Sequence, residues 1–172
     1  MAEIFYITET KRLRETPNVL FDSVPLVPNL GAIDRVKHGI NAQSPGAVEK
    51  VKKAWYMHPG QIDNLIVFHG ERRVELYTPE HGRIETLIVT PDKIIKDGEI
   101  LCDVPALLSW PTHVFHRIGS GNEGSMSMNF AQHIEGFDIQ TNFNIYSLDI
   151  ESGEYEVIRE GFKDQPENFG VE

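Results

Sequence analysis

Only one cysteine, Cys102, occurs in the 172 residues. No intramolecular disulfide can form, and no cysteine-based zinc site can be built. With no activating residue close to it in sequence, Cys102 reads as a structural thiol. No apolar run approaches the roughly 18 residues of a membrane span. From Met1 to Glu15 apolar and charged side chains interleave, unlike the unbroken apolar core of a secretion signal. A cytoplasmic protein with no membrane partner is expected. Basic residues are also few, 16 Lys and Arg against 26 Asp and Glu, for a formal net charge of −10. Their densest group is Lys50, Lys52 and Lys53. Binding to a phosphate backbone needs a basic stripe, so nucleic acid is not an expected partner. Helix-period segments of any length are missing too.

What is present is short β-type runs divided by turn residues. Glu3 to Thr8 is β-branched and aromatic and predicts a strand. The stretch from Lys11 to Arg35 carries Pro17, Pro25 and Pro28, which exclude regular helix and predict an extended arm. Val36 to Ile40 predicts a short strand, and Ala47 to Trp55 fits either a helical turn or a strand. Leu65 to His69, Arg73 to Tyr77 and Glu85 to Val89 read as a meander, broken at Gly70-Glu71 and between Pro79 and Gly82. Asp92 to Ile95 and Ile100 to Val104 flank a tight turn at Lys96 to Glu99. His113 to Ile118 and Ser125 to Ile134 flank the Gly119 to Gly124 run, read as a hairpin loop. That run opens no helix, so the dipole argument for a phosphate site does not apply. Phe143 to Asp149 and Glu154 to Arg159 complete the set, ahead of a polar, frayed tail from Asp164. Many short strands with regular turns predict an all-β sandwich or barrel. One domain is expected, with an arm and first strands over 1–45, a barrel over 46–160 and a flexible tail over 161–172.

Two stretches carry the candidate chemistry. Trp55 to Gly70 places His58 and Asp63 on either side of Pro59-Gly60, and Trp110 to His116 brings His113 and His116 after a Trp-Pro break. Two His-bearing strands are what a barrel needs to converge ligands on one interior point. Gln61 sits in the same short loop and reaches toward the same cavity. His113, three residues before His116, faces the opposite side of a strand unless a bulge turns it inward; Gln61, His113 and Asn129 are the candidate substrate-pocket residues. His133 folds back beside the cavity if the glycine run is a hairpin, and Asn129 shares its face. His38, His69 and His81 read as structural or solvent-facing. Trp55, Trp110, Phe115 and Phe130 read as barrel core and pocket wall.

These two stretches resemble the paired motifs of the cupin superfamily. The first family motif has two histidines one residue apart, then a glutamate, then a glycine. Here Tyr56, His58, Asp63 and Gly70 keep the spacing, with tyrosine at the first position and aspartate for glutamate. In the second motif Pro111, His113 and His116 keep the spacing, with histidine where glycine is usual. The resemblance covers roughly residues 52 to 134 and implies a cupin-like jelly-roll barrel.

The resemblance implies three functions. One is a metal-dependent enzyme, a dioxygenase or isomerase, with His58, Asp63 and His116 holding Fe, Mn, Ni or Zn. Tyr56 or His133 would then carry the proton. Another is metal-free acid–base chemistry on a sugar, as in cupin-like nucleotide-sugar epimerases and isomerases, with a histidine base and a tyrosine acid. The arginine-rich first motif of those enzymes is not found around His58. The third is a non-catalytic module binding a small ligand in the same cavity. In each case the arm from Thr16 to Leu30 predicts a homodimer, with arms or edge strands pairing across subunits.

Overall fold

The structure is a computed structural model that describes residues 3–166. Fourteen strands form among these residues; β4 and β8 alternate between inward and outward side chains, whereas β11 is buried throughout. The N-terminal segment supplies β1 (Tyr6–Glu9), β2 (Lys11–Thr16), β3 (Val19–Ser23) and β4 (Leu30–His38). Next come β5 (Gln43–Ser44), β6 (Trp55–Met57) and the 17-residue β7 (Gln61–Tyr77). The meander continues through β8 (Glu85–Val89), β9 (Ile94–Lys96), β10 (Glu99–Cys102) and β11 (Ala106–Trp110). The 19-residue β12 (Phe115–His133), β13 (Ile145–Leu148) and β14 (Tyr155–Arg159) close the set, before a 3-10 turn at Gly161–Asp164. No helix among the described residues is long and apolar enough to cross a membrane.

Antiparallel pairing of β7 with β12 is the spine of the molecule. It runs from Phe115 opposite Tyr77 to His133 opposite Gln61. Off this spine, β8, β9 and β10 extend one side while β6, β13 and β14 extend the other. β11 joins the Asp63-to-Leu65 part of β7 and carries β1 on its far edge, and β4 joins the second half of β12. The architecture is an all-β, cupin-type jelly roll. Its main core gathers Leu65, Val74, Leu76, Leu87, Val89 and Leu108. A smaller core stacks Trp55, Met57, Tyr77, Phe115 and Tyr146. Burying each such aliphatic side chain contributes about 1.5–3 kcal/mol.

Several sequence expectations change here. The Gly119 to Gly124 run is no hairpin, because β12 passes straight through it and stays paired with β7 on both sides. Between Ser120 and Ser125 the pairing slips past the single residue between Arg72 and Gly70, so the glycines form a wide bulge. Gly70 and Gly124 have φ of +67° and +71°, and their backbones meet where a Cβ on Gly70 would lie 2.0 Å from the Gly124 carbonyl oxygen. For the same reason Leu65 to His69 and Arg73 to Tyr77 are one strand, bent at Gly70. Ala47 to Trp55 is mostly turns and ends in β6. The proline-bearing arm folds into a β2–β3 hairpin around Asn18, whose φ is +64°, and forms a two-stranded sheet of its own. The short strand expected at Val36 to Ile40 is the end of the longer β4. Of the tail expected over 161–172, residues 161–166 are described, with Gly161–Asp164 forming the 3-10 turn, and 167–172 lie outside the described residues.

Candidate active site

Inward-facing side chains of β4, β6, β7 and β12 enclose a cavity of about 270 Å³. β6 contributes Tyr56, and His58 follows just beyond it. β7 contributes Gln61, Asp63 and Arg72, and β12 contributes His116 and Asn129. Trp110 and Phe143 complete the aromatic wall. The pairing of His116 with Tyr56 across β12 and β6 explains the convergence. It sets the two halves of the motif side by side, with the His58 and His116 rings 4.7 Å apart.

Each histidine is held by its Nδ1. His58 Nδ1–H donates to the Asn142 carbonyl at 2.5 Å, and His116 Nδ1–H donates to the Val114 carbonyl at 3.1 Å. In the neutral rings this leaves both Nε2 lone pairs unprotonated. Burial and the neighbouring His58 hold His116 well below its ordinary value, at about 4, so it is neutral at physiological pH. Asp63 is buried, and its Oδ1 accepts from Gln61 Nε2 at 2.7 Å and Asn129 Nδ2 at 2.6 Å. Its Oδ2 is buried without any hydrogen-bond partner and stands 3.6 Å from His58 Nε2. The network runs on from Gln61 Oε1 to Asn142 Nδ2, and the Asn142 carbonyl holds His58. One chain of amides therefore positions both the carboxylate and the imidazole.

Tyr56 is half-buried beside them, its ring 6.2 Å from that of His58 and 5.9 Å from that of His116. Burial pushes its phenol above the ordinary value, with Ser44 opposing, so it keeps its proton at neutral pH. A carboxylate, two lone-pair nitrogens and a protonated phenol thus line one chamber. This set can take a proton from carbon and return one.

The donors also suit a divalent metal. Ligand atoms of His58, Asp63 and His116 all lie within 4.8 Å of one another. A first-row ion bound at roughly 2.0–2.2 Å would need only a small closure of the set. Both imidazoles are oriented through their other nitrogen, as metal-binding histidines usually are. The unpaired Asp63 Oδ2 fits a cation as well as it fits a proton.

Of the remaining sequence candidates, Gln61 and Asn129 reach the chamber, as their hydrogen bonds to Asp63 show. His133 lies at the rim of an adjoining outer cavity of about 500 Å³, stacked on Phe137 at 3.5 Å between ring centroids. His113 does not enter the chamber. Its φ of +63° makes it the tight turn before β12, its side chain is exposed, and its N–H donates to the His58 carbonyl. It lines a separate surface cavity with His81 and Glu80 instead. His69 is exposed, and His81 pairs with Glu85 at 2.6 Å.

Asp34, Ser44 and Arg72 line the chamber without a signal singled out in the sequence, and His38, expected to be structural or solvent-facing, lines it too. His38 is buried on β4, bonded through Nδ1 to Ser120 Oγ at 3.0 Å, and lines the cavity. Arg72 is buried on β7 and lines it too. The available signal was alternation: Ala32, Asp34, Val36 and His38 share one face of β4, and Arg72 shares a face with Val74 and Leu76.

No family model and no curated protein matches the chain. Among solved structures it is similar to the sugar 3,4-ketoisomerase QdtA from Thermoanaerobacterium thermosaccharolyticum. That match has 11% identity, covers 80% of this chain and 85% of that one, and has a TM-score of 0.56. A dTDP sugar isomerase from Desulfovibrio desulfuricans G20 matches at 16% identity over 77% and 80% of the two chains, with a TM-score of 0.55. The rmlC epimerase of Mycobacterium tuberculosis matches at 9% identity over 77% of this chain and 65% of that one, TM-score 0.54. At these identities the likeness is one of fold.

Proposed function

We propose that this protein is a cytoplasmic acid–base enzyme of the isomerase or epimerase type, acting on a small sugar-like carbonyl compound inside the barrel. One observation carries the reading: His58 Nε2 faces the cavity with the unpartnered Asp63 Oδ2 3.6 Å away and the Tyr56 phenol on the same chamber. His58 removes a proton from the carbon next to the carbonyl. The imidazolium so formed has Asp63 Oδ2 already in place beside it as a counter-charge. Tyr56 returns a proton to the enediolate. Similarity of fold to proteins named as sugar isomerases, ketoisomerases and an epimerase supports this choice of chemistry.

The test is solvent deuterium wash-in. After exhaustive chelation, the protein is incubated in D₂O with free ketoses and with TDP-4-keto-6-deoxyglucose, the ligand named for one protein of this fold. Deuterium at the carbon next to the carbonyl, lost in His58→Ala, is the expected result. Absence of exchange across both substrate groups overturns the reading.

A second reading rests on the converging donor atoms: a divalent ion held by His58, Asp63 and His116. Such an ion supplies a Lewis acid for the carbonyl oxygen. Elemental analysis of protein purified without chelator, beside His58→Ala and His116→Ala, separates the two readings. Near one metal per chain in the wild type alone favours the metal, and metal-independent exchange favours acid–base chemistry.

We also propose a homodimer. Leu13, Leu20 and Phe21 of the β2–β3 hairpin and Leu26 just after it are exposed, with Leu26 at 99%, and among the described residues β2 and β3 pair only with each other. A concentration-independent monomer in sedimentation velocity would sink this idea.

A further inference from the structure

Arg72 is an arginine in a core position. On β7 it alternates with the exposed Glu71 and Arg73 and shares the inward face with Val74 and Leu76. It is 1% exposed, among the largest fully buried side chains of the protein. A cation so placed normally has a carboxylate against it, because desolvation costs several kcal/mol that a counter-charge must offset. Arg72 has none among the described residues. Its Nε donates to Ser125 Oγ at 3.1 Å and one Nη2–H donates to the Val36 carbonyl at 3.1 Å. Three of the guanidinium's five N–H donors are left without a protein acceptor.

The surroundings are neutral. Ser125 Oγ is 2.7 Å from Ser120 Oγ, which bonds His38, and His38 is held near 4 by burial and by Arg72 itself. Burial pulls the guanidinium down only to about 10, so it stays charged at physiological pH. Arg72 lines the chamber of His58, Asp63 and His116, and the chamber's own carboxylates, Asp34 and Asp63, are bonded to Asn129 instead. Among the described residues, no carboxylate of the chamber bonds the guanidinium. At about 270 Å³ the chamber has room for a compact acid, and it shares Asp34, Tyr56, Gln61 and Phe143 with the outer cavity of about 500 Å³.

We propose that Arg72 anchors an oxyanion subsite, which takes a carboxylate or phosphoryl group of the substrate while the adjoining carbon skeleton lies against His58 and Asp63. This rests on the reading of the cavity as a small-substrate site, and it names the substrate class: small acids or phosphorylated compounds with a carbonyl group. A guanidinium fork suits both oxyanions, with two parallel N–H···O bonds to a carboxylate or a phosphoryl group.

Calorimetric titration of the full chain with pyruvate, inorganic phosphate and thymidine diphosphate, in wild type, Arg72→Met and Arg72→Lys, tests it. Pyruvate or phosphate should bind the wild type saturably, roughly 30-fold or more tighter than Arg72→Met, with Arg72→Lys between them. The tighter of the two identifies carboxylate or phosphoryl as the source, and still tighter binding of thymidine diphosphate, lost in Arg72→Met, would identify a nucleotide-linked phosphoryl group. Without anions, Arg72→Met should melt no lower than the wild type, since an apolar side chain removes an unpaired buried charge. No saturable anion binding by the wild type, equal binding by Arg72→Met, or a large loss of melting temperature in that variant overturns the subsite; the last would make Arg72 a structural tie of Val36 and Ser125. Anion binding is read without turnover, so it survives a failure to find isomerase activity. Conversely, an active enzyme whose substrate affinity is unmoved by Arg72→Met overturns the subsite and leaves the acid–base reading standing.

Discussion

His58 Nε2 stands 3.6 Å from Asp63 Oδ2, too far for a hydrogen bond and close enough for a charge on one to be felt by the other. The other Asp63 oxygen is fully occupied by Gln61 and Asn129, so the free oxygen is reserved for whatever enters or forms beside it. Asp63→Asn tests this directly. Its amide keeps the size and the Gln61 and Asn129 neighbours while removing the counter-charge. Turnover should fall by about 10²–10⁴-fold, with melting temperature unchanged or higher. A variant as active as wild type would remove Asp63 from the chemistry.

Tyr56 and His58 are assigned opposite halves of the proton transfer, and the halves can be read apart. In Tyr56→Phe the base remains, so deuterium should still enter the substrate while net isomerisation drops by about 10²-fold or more. Burial of the phenol, which favours its protonated form, is what makes it an acid at neutral pH. Loss of wash-in together with turnover would assign Tyr56 to substrate binding.

The trio His58, Asp63 and His116 was legible because motif spacing along two strands is a local property. One Pro-Gly turn sets His58 against Asp63, and one strand pairing brings His116 across. His113 was misplaced because inward or outward depends on its φ of +63°, which a histidine rarely adopts and no local pattern announces. The glycine run at Gly119 to Gly124 reads the same locally whether it ends a hairpin or bulges within a strand. What decides it is β7, which bends at Gly70 and continues beside β12. His38 and Arg72 were not placed together for a related reason: alternation gives the face each occupies, but the faces meet only because β4 pairs with β12, His38 opposite Ser125, a contact between distant segments.

Stability should fall on mild acidification, before most carboxylates titrate. His38 and His116 are each held near 4 in the folded protein, chiefly by burial, against about 6.5 when unfolded. Between those values the unfolded chain binds more protons than the folded one, so stability is full above pH 6.5 and is lost as the pH falls toward 4. For the fully buried His116 the limit is on the order of 3 kcal/mol. Urea titrations at pH 7.5 and 4.5 should show the loss, and His38→Gln should shrink it. Equal midpoints at the two pH values would refute it.

The close approach of β7 and β12 depends on Gly70, and Gly98 serves as the control. Gly70→Ala puts a Cβ 2.0 Å from the Gly124 carbonyl oxygen in addition to its unfavourable φ, and no flexible side chain is there to yield. Gly98, in the β9–β10 turn, has φ of +83° and nothing within 4 Å of an added Cβ. Its alanine variant should therefore cost only the left-handed penalty of about 1–2 kcal/mol, while Gly70→Ala costs at least twice that. Because Arg72 and His38 flank the same crossing, Gly70→Ala should also loosen small-anion binding, whereas Gly98→Ala leaves it alone. Denaturation midpoints and the pyruvate titration read both effects. Equal costs for the two alanines would mean that the strands can part at Gly70 without disturbing the cavity behind it.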